Sequence, residues 1–595
     1  MTRNDYLIKR KFNSYLVPGI LMAVAMQLGN IVDSVLVSMF IDIDGLTAIS
    51  LSMPALCFMQ MFGFTIGVGG AVTISVKLGK RQIKEASGVF SVCVVAVAAV
   101  SLLFTALSFL ITHPLTMMLA STPELQALLE PYLFIFICFI PTLNMCLVFA
   151  NMMTVDNNPK LGAAAFVVAN AVNLTLDYIF LRYTDMGMTG AALSSVIGFG
   201  SGILLVIPYA LSKKRMLHFS FREALKQMKI IGTVIKNGLP QAMYFVMLIL
   251  KYYILNAFIQ SALGADNMSI YAVCINSVNI VRLFVEGIIG VVQTIGGVLY
   301  GEKDYFGIRR LVRRTVLFSS AAVAVLMAVF LAFPQIILTI FSFNKPELYD
   351  AALLSVRLFS FSFGFYAANR VIQVYYPTIL KAKLSTIDTI LDGFVLLVPV
   401  SMLFIGTIGV LGISIATIVT EGLTFTAVCI YRIIQQKRGK LPQKGFLMIP
   451  EKDGENLLDI TVRSTDEQAV EISKKLIECC NVQGIHPEKA NAIGIAAEEL
   501  TVNISRYGYK GNKPSYIDIS LSKADGKLIL RVRDDGVPFN PTEYSPEERE
   551  TFSFGGIDLI RVISDKMTYT RVLNMNNTVI EFALTEKTIT TQGES

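Results

Sequence analysis

Charge is scarce in this 595-residue chain: 16% of its residues are Asp, Glu, Lys or Arg, against 54% that are apolar. Histidine is scarcer still, three residues in all. The C-terminal part lacks a phospho-acceptor histidine helix, and His486, a lone residue directly before Pro487, reads as a surface residue, which argues against a His phosphorelay. The eight cysteines supply neither a disulfide framework nor metal-ligand spacing. Cys57, Cys93, Cys138, Cys146, Cys274 and Cys429 fall in apolar runs, and the Cys479–Cys480 pair falls on an expected soluble helix. A P-loop is missing, so ATP cannot simply drive the apolar part. No cleavable signal peptide is evident, because the first apolar segment continues as a full span behind a polar, basic start. Nor is there a basic surplus for nucleic acid. The net charge of +7 divides into about +14 before residue 446 and about −7 after it, so the basic excess belongs to loops between apolar runs.

Up to about residue 435, apolar runs of 18 or more residues recur, each long enough to cross a bilayer. They place spans at 14–38, 47–74, 88–111, 130–153, 160–181, 188–211, 236–261, 268–299, 314–335, 350–376, 384–405 and 410–431, twelve in all. About 28 Lys and Arg lie in alternate loops and about 2 in the others, which makes the rich side cytoplasmic and puts both termini there. Two stretches suggest that this region is a repeat. Asn173, Leu176 and Asp177 lead to G-M-T-G-A-A-L-S-S ending at Ser195; Asp388, Leu391 and Asp392 lead to G-V-L-G-I-S-I-A-T ending at Thr417. Six spans per half make parallel repeats, with sites expected near the midplane between them.

Ionisable residues inside spans are costly and face a cavity or a partner. The first half has Asp33 and Asp177. The second has Lys251, Arg282, Glu286, Arg357, Arg370, Asp388, Asp392 and Glu421. Arg282 and Glu286, one helical turn apart, could pair with each other, and ion pairing between spans is the structural reading for Arg282, Glu286 and Arg370. Asp33 and Asp177 have no basic residue in their own half's spans, so a proton or a cation is the expected partner.

Residues 1–435 resemble the multidrug and toxic compound extrusion (MATE) transporters. The matching stretches are P-G at Pro18, N-I-V-D-S-V ending at Val35, I-G-V-G-G through K-L-G-K at Lys80, and Pro159–Lys160. N-L-T-L-D-Y-I at Asn173–Ile179, G-M-T-G-A-A-L at Gly187–Leu193 and G-L-P at Gly238–Pro240 complete the set. The resemblance implies two six-helix bundles around a central cavity in the cytoplasmic membrane, with export of a cationic amphipathic small molecule driven by H⁺ or Na⁺. Asp33, Asn173, Asp177 and Ser195 match the family's first-half polar cluster, with Ser195 where threonine is more usual; Tyr132 is a weaker addition. The carboxylate that some members carry on the seventh span has no counterpart in Tyr244–Leu255, where Lys251 is the one charge. Asp388 and Asp392 are the candidates to replace it.

The expected organisation is a first lobe 1–211, a loop 212–235, a second lobe 236–434, a basic juxtamembrane linker 435–455, a soluble domain 456–585 and a tail 586–595. The linker reads as a positive-inside flank, or as a segment held against anionic lipid. In the soluble domain a strand, two helices, a hairpin, a short helix and a last hairpin make a helix layer on a mixed or antiparallel sheet, an α/β sandwich. Three stretches in it could carry chemistry. In A-E-E-L-T-V-N, Glu499 and Asn503 share one helix face and could activate a nucleophile and hold Mg²⁺. In R-D-D-G-V-P-F-N-P, Gly536 lets a ligand approach an acidic turn. In F-G-G-I-D-L-I, Gly555 and Gly556 precede a helix whose N-terminus could receive phosphate.

Together these three resemble the GHKL ATP-binding fold, in particular its anti-sigma-factor serine-kinase branch. The resemblance makes Glu499 the general base, Asn503 the Mg²⁺ ligand, Asp534 the adenine-reading acid, Gly536 the pocket opener, and Gly555 and Gly556 the phosphate contacts. Asp558 stands where a second lid glycine is common, and a carboxylate there would repel phosphate. Three roles follow for this domain: regulator of the transporter, by gating or by phosphorylating Ser/Thr on a protein partner; output of a receptor-like kinase whose apolar part senses; or docking module.

Overall fold

The computed structural model describes residues 3–41, 43–120, 122–212, 215–264, 267–341, 343, 345–438, 447–449, 456–509, 515–524, 526–543 and 555–584. The chain divides into two compact units: a helical one of Phe12–Glu302 with Leu311–Pro442, and a smaller one of Met1–Lys11, Lys303–Arg310 and Gln443–Ser595.

The apolar runs fold into helices because only a helix satisfies every backbone group within one segment away from water. In the first half these are α1 (Tyr6–Phe40), α2 (Ile43–Gly79), α3 (Ile83–Leu119), α4 (Pro123–Cys138), α5 (Ile140–Val155), α6 (Pro159–Tyr183) and α7 (Gly187–Leu211), followed by the short α8 (Phe221–Lys226). The second half contains α9 (Ile231–Leu263), α10 (Met268–Val291), α11 (Gly297–Gly301), α12 (Tyr305–Ala332), α13 (Pro334–Ile340), α14 (Tyr349–Ser360), α15 (Ser362–Thr378), α16 (Ala382–Ile390), α17 (Leu397–Ile408) and α18 (Gly412–Lys437). Among the described residues, ten helices are long and apolar enough to cross a membrane, or eleven with α4 and α5 as one span. These two meet at 51°; Pro141, the second residue of α5, cannot donate into the last turn of α4. One of the ten runs over 382–437 and contains a reversal at Gly409, whose φ is 72°. There α17 folds back on α18, with Ile405 packed in one cluster with Ile413. Counted as two, this pair brings the spans to the expected twelve. On α3 the large apolar side chains Leu102, Phe109, Leu110 and Met118 point outward, as hydrocarbon requires and water does not.

The two halves touch where side chains are absent. A Cβ on Gly19 of α1 would lie 2.6 Å from the carbonyl oxygen of Gly287 on α10, and one on Gly69 of α2 would lie 2.7 Å from the nitrogen of Gly238 on α9. Paired glycines let helix backbones approach closely where burial from water provides no drive.

In the smaller unit β1 (Asn456–Arg463), β2 (Tyr516–Ala524), β3 (Lys527–Asp534), β4 (Lys566–Val572) and β5 (Met575–Ala583) form one sheet in the order β1-β2-β3-β5-β4. Every pairing is antiparallel, which settles the choice left open by the sequence. The helices are α19 (Asp466–Val482), α20 (Pro487–Tyr507) and α21 (Gly555–Ile563). Strand alternation sends Ile460, Ile519, Leu530 and Val532 into one core with Ile472, Leu476, Ile493 and Ala497 of α19 and α20.

The opposite side of the sheet is built by the same alternation. Thr461, Asp518, Arg533 and Asn577 stand in one register row across four strands. Arg3 and the 303–310 segment meet this row through Asp304. Its carboxylate takes Arg3 at 2.9 and 2.6 Å, Arg533 at 2.9 Å and the Gly307 amide at 2.8 Å. Arg3 also reaches Asp459 at 3.1 Å and Asp518 at 3.6 Å. Burial alone would raise the Asp304 pKa, but Arg3 and Arg533 hold it well below the usual carboxylate range. For Asp518, burial outweighs Arg3 and the pKa is raised.

Candidate functional site

The helical unit encloses a central cavity of about 420 Å³. Asp33 of α1, Tyr132 of α4, Asn173 of α6 and Ser195 of α7 line one wall; Tyr244, Arg282, Glu286, Arg370 and Gln373 line the other. The first wall depends on how tightly α6 packs against α7. A Cβ on Gly198 would lie 2.5 Å from the Ala169 carbonyl oxygen and 2.8 Å from Cβ of Asn173. At that spacing the Asn173 amide donates to Asp177 at 3.1 Å and to Ser195 Oγ at 3.1 Å. Ser194 donates a short bond to the other oxygen of Asp177. Asp177 is 1% exposed and sits behind the wall, whereas Asp33 is on it, with Oδ1 lacking a hydrogen-bond partner among the described residues. All four residues expected from the sequence therefore belong to one cluster. Ser194 is the member that spacing missed, because the repeat pointed one residue further on.

The second-half counterpart does not close in the same way. A π-turn at Leu391–Val395 carries Asp392; Gln373 donates to it at 3.4 Å, and it lines a smaller cavity of about 120 Å³ with Lys251 and Glu421. Asp388 is 1% exposed, lines neither cavity, and has no hydrogen-bond partner on either oxygen among the described residues. Thr417, the expected match to Ser195, donates instead to Ile413 of its own helix at 2.9 Å. Glu421 is held by Asn369 at 2.7 Å, a pair that the sequence did not single out. Of the two pairings open to Glu286, the one between spans is formed. Glu286 pairs not with Arg282 but with Arg370, at 2.8 and 3.0 Å, because the planar guanidinium of α15 meets the carboxylate with two parallel bonds.

In the smaller unit the three motif stretches converge. Glu499 and Asn503 sit on the same helix, the Asn503 amide donating to the Glu499 carbonyl at 2.8 Å. Gly556 lies directly against the Glu499 carboxylate, where a Cβ would collide with it. Asp534, at the end of β3, is 3% exposed. Its Oδ1 accepts from the Gly536 amide and from Asn576, both at 2.8 Å. Burial pushes its pKa up to about 6, against those two hydrogen bonds. Gly536 is required, since a Cβ there would strike the Gly508 carbonyl. Asp558 points into an ion pair with Arg561 at 3.0 Å, so the charge suspected of repelling phosphate is already partnered. Gly555 opens α21, and Phe554 lies outside the described residues. The adjacent Asp535 pairs with Arg10 of α1 at 2.9 Å and bonds Tyr509 at 3.2 Å.

A helical unit able to cross a membrane many times around a solute-sized cavity, on one chain with an α/β sandwich, defines a multi-pass membrane protein of the transporter class. A family model described as MatE matches residues 18–179 and 240–403, more than half of the chain. The chain belongs to the MatE family. Residues 462–583 match a model described as a histidine kinase-like ATPase domain. The multidrug export protein MepA of Staphylococcus saprophyticus is 21% identical over 403 residues, covering 67% of this chain and 87% of its own. MepA of Staphylococcus haemolyticus is 21% identical over 377 residues, covering 63% and 82%. Among solved structures, the MATE multidrug transporter DinF-BH matches with a TM-score of 0.65 at 22% identity, covering 71% of this chain and 95% of its own. An outward-facing multidrug resistance MATE family transporter of the MOP superfamily matches at 0.67 and 16% identity, covering 73% and 97%. At these identities the structural likeness is one of fold.

Proposed function

We propose that this chain is an ion-coupled exporter of amphipathic organic cations, seated in the cytoplasmic membrane with both termini inside, and that its C-terminal domain binds Mg·ATP and regulates it. The observation that carries the transport reading is Asp33 on the cavity wall, with a carboxylate oxygen left unbonded in front of the Asn173–Asp177–Ser194–Ser195 network. A proton or Na⁺ can occupy that carboxylate when no solute is there. A cationic solute and the ion cannot both be held by one buried charge, and this exclusion makes the two exchange. The similarity to multidrug export proteins supports the same direction of transport. The test is dye efflux from proteoliposomes under separately imposed H⁺ and Na⁺ gradients. Asp33→Asn should abolish gradient-driven flux, and undiminished flux overturns the reading.

The nucleotide site is assigned to Glu499, Asn503, Asp534, Gly536, Gly555 and Gly556. These residues suit the ligand: Gly556 backs onto the Glu499 carboxylate with no side chain between them, Asp534 uses Oδ1 and leaves Oδ2 for an amino group, and Asn503 uses its amide nitrogen and leaves its oxygen for Mg²⁺. Bound Mg·ATP supplies a transferable phosphoryl group and binding energy at this face. Regulation is supported by the Asp534–Asp535–Gly536 turn, in which the base-reading acid is followed by the carboxylate that pairs with Arg10. Arg10 lies in the first turns of α1, the helix that carries Asp33. Mg·ATP should therefore change the rate of gradient-driven efflux without driving it. Equal rates with and without nucleotide refute the regulatory role.

A further inference from the structure

The second wall of the central cavity carries more positive charge than an exporter of simple cations calls for. Arg282 and Arg370 both line the central cavity, with Glu286 the carboxylate on that wall, and both also border the smaller cavity that holds Lys251, Asp392 and Glu421. Glu286 is already taken by two bonds from Arg370, whose third contact is Gln373 at 2.6 Å. Arg282 makes no ion pair among the described residues, and its Nε is buried without a hydrogen-bond partner. Asp392 and Glu421, in the smaller cavity behind, are held by Gln373 and Asn369 and form no ion pair with Arg282. The Tyr244 ring fixes the spare guanidinium, which stands 5.3 Å from its centroid, while Arg370 stands 5.5 Å away. A ring face holds a guanidinium without neutralising it. An unpaired, partly buried charge of this kind is expensive unless something arrives to meet it.

We propose that Arg282, steadied on Tyr244, is a carboxylate-accepting subsite of the transport cavity. The solute it takes is an amphiphile bearing both a cationic centre, held on the Asp33 wall, and a carboxylate, held by Arg282. The proposal rests on the exporter reading of the cavity. A guanidinium meets a carboxylate with parallel N–H donors, and an ester of the same molecule offers neither the charge nor the second acceptor.

The test compares two dyes that differ only at this group: a cationic rhodamine ethyl ester and its free acid, a zwitterion. Binding to the full-length purified chain is read by fluorescence polarisation. The acid should bind about tenfold more tightly than the ester, the size of one charge-assisted hydrogen bond. In Arg282→Gln that ratio should fall to about one, and Arg282→Lys should recover part of it. The wild-type ratio decides the question even where a variant does not fold. An ester that binds as tightly as the acid, or a ratio unchanged in Arg282→Gln, overturns the subsite alone. Binding of neither dye overturns the exporter reading, and the subsite with it.

Discussion

Replacing Asp304 by asparagine keeps the shape of the side chain and removes the charge that joins three parts of the chain. Its side chain is 1% exposed, with Arg533 at 3% and Arg3 at 8%, so water cannot compensate. Asp304→Asn leaves two guanidiniums facing each other with Asp518 and Asp459 as remaining partners, one of them 3.6 Å away. Breaking a buried pair from one side costs about 3–5 kcal/mol. That is about a hundredfold or more in the opening equilibrium of the smaller unit, readable as faster amide exchange of β2 and β3 in the full-length chain. Arg3→Met with Asp304→Leu, Arg533→Met, Asp459→Asn and Asp518→Asn should lose much less, because the buried charges of the cluster go together. Acid should act in the same direction. The Asp304 pKa is depressed, so its contribution is present above the ordinary carboxylate pKa of about 3.9 and is lost as pH falls below that value. Unchanged exchange in Asp304→Asn would mean that Arg3, Asp304 and Arg533 do not hold the sheet closed.

Asp534 should give the nucleotide site a pH dependence of the opposite origin. Its raised pKa of about 6 means that ionisation costs the fold about 3 kcal/mol, a penalty absent below the unfolded pKa and complete above pH 6. An adenine amino group needs the ionised form, so ATP affinity measured by calorimetry should fall about tenfold per pH unit below 6. Asn503→Ala should abolish the Mg²⁺ dependence of ATP binding, and an Mg²⁺-dependent affinity that persists removes Asn503 as the ligand. Gly238→Val should separate α2 from α9, since a Cβ there already overlaps the Thr65 carbonyl. A loss of about 1–3 kcal/mol, seen as a lower thermal midpoint of the helical unit, is expected. An unchanged midpoint would mean that the helices part without cost.

The sequence made the helical architecture readable because hydrocarbon imposes one rule on every span, and length and apolarity report it directly. The first-half site was readable for a related reason: charge inside a span is rare enough to be conspicuous, and Asn173 and Asp177 lie four residues apart on one helix face. Local spacing misled where the partner was distant. Glu286 chose Arg370, 84 residues away, over Arg282 one turn away, because the bidentate geometry exists only between helices. The π-turn at Leu391–Val395 also breaks the regular spacing from which Asp388 and Asp392 were expected to act together. Residues 3–11 and 303–310 gave no sign of joining the sheet unit, since their contacts are scattered ion pairs, a backbone bond to Thr461 and one ring contact, Tyr6 with Tyr516, without periodicity. Arg533 and Asp518 could have hinted at it: they are charges facing each other on neighbouring strands, and their face needs a cover.

The most direct test of the account is transport by the full-length chain in proteoliposomes, with the ion gradient and the nucleotide supplied independently. A gradient alone should move the dye, Mg·ATP alone should not, and Mg·ATP should alter the gradient-driven rate unless Asp534 is replaced. Transport driven by Mg·ATP with no ion gradient, or gradient-driven transport that survives Asp33→Asn intact, would contradict it.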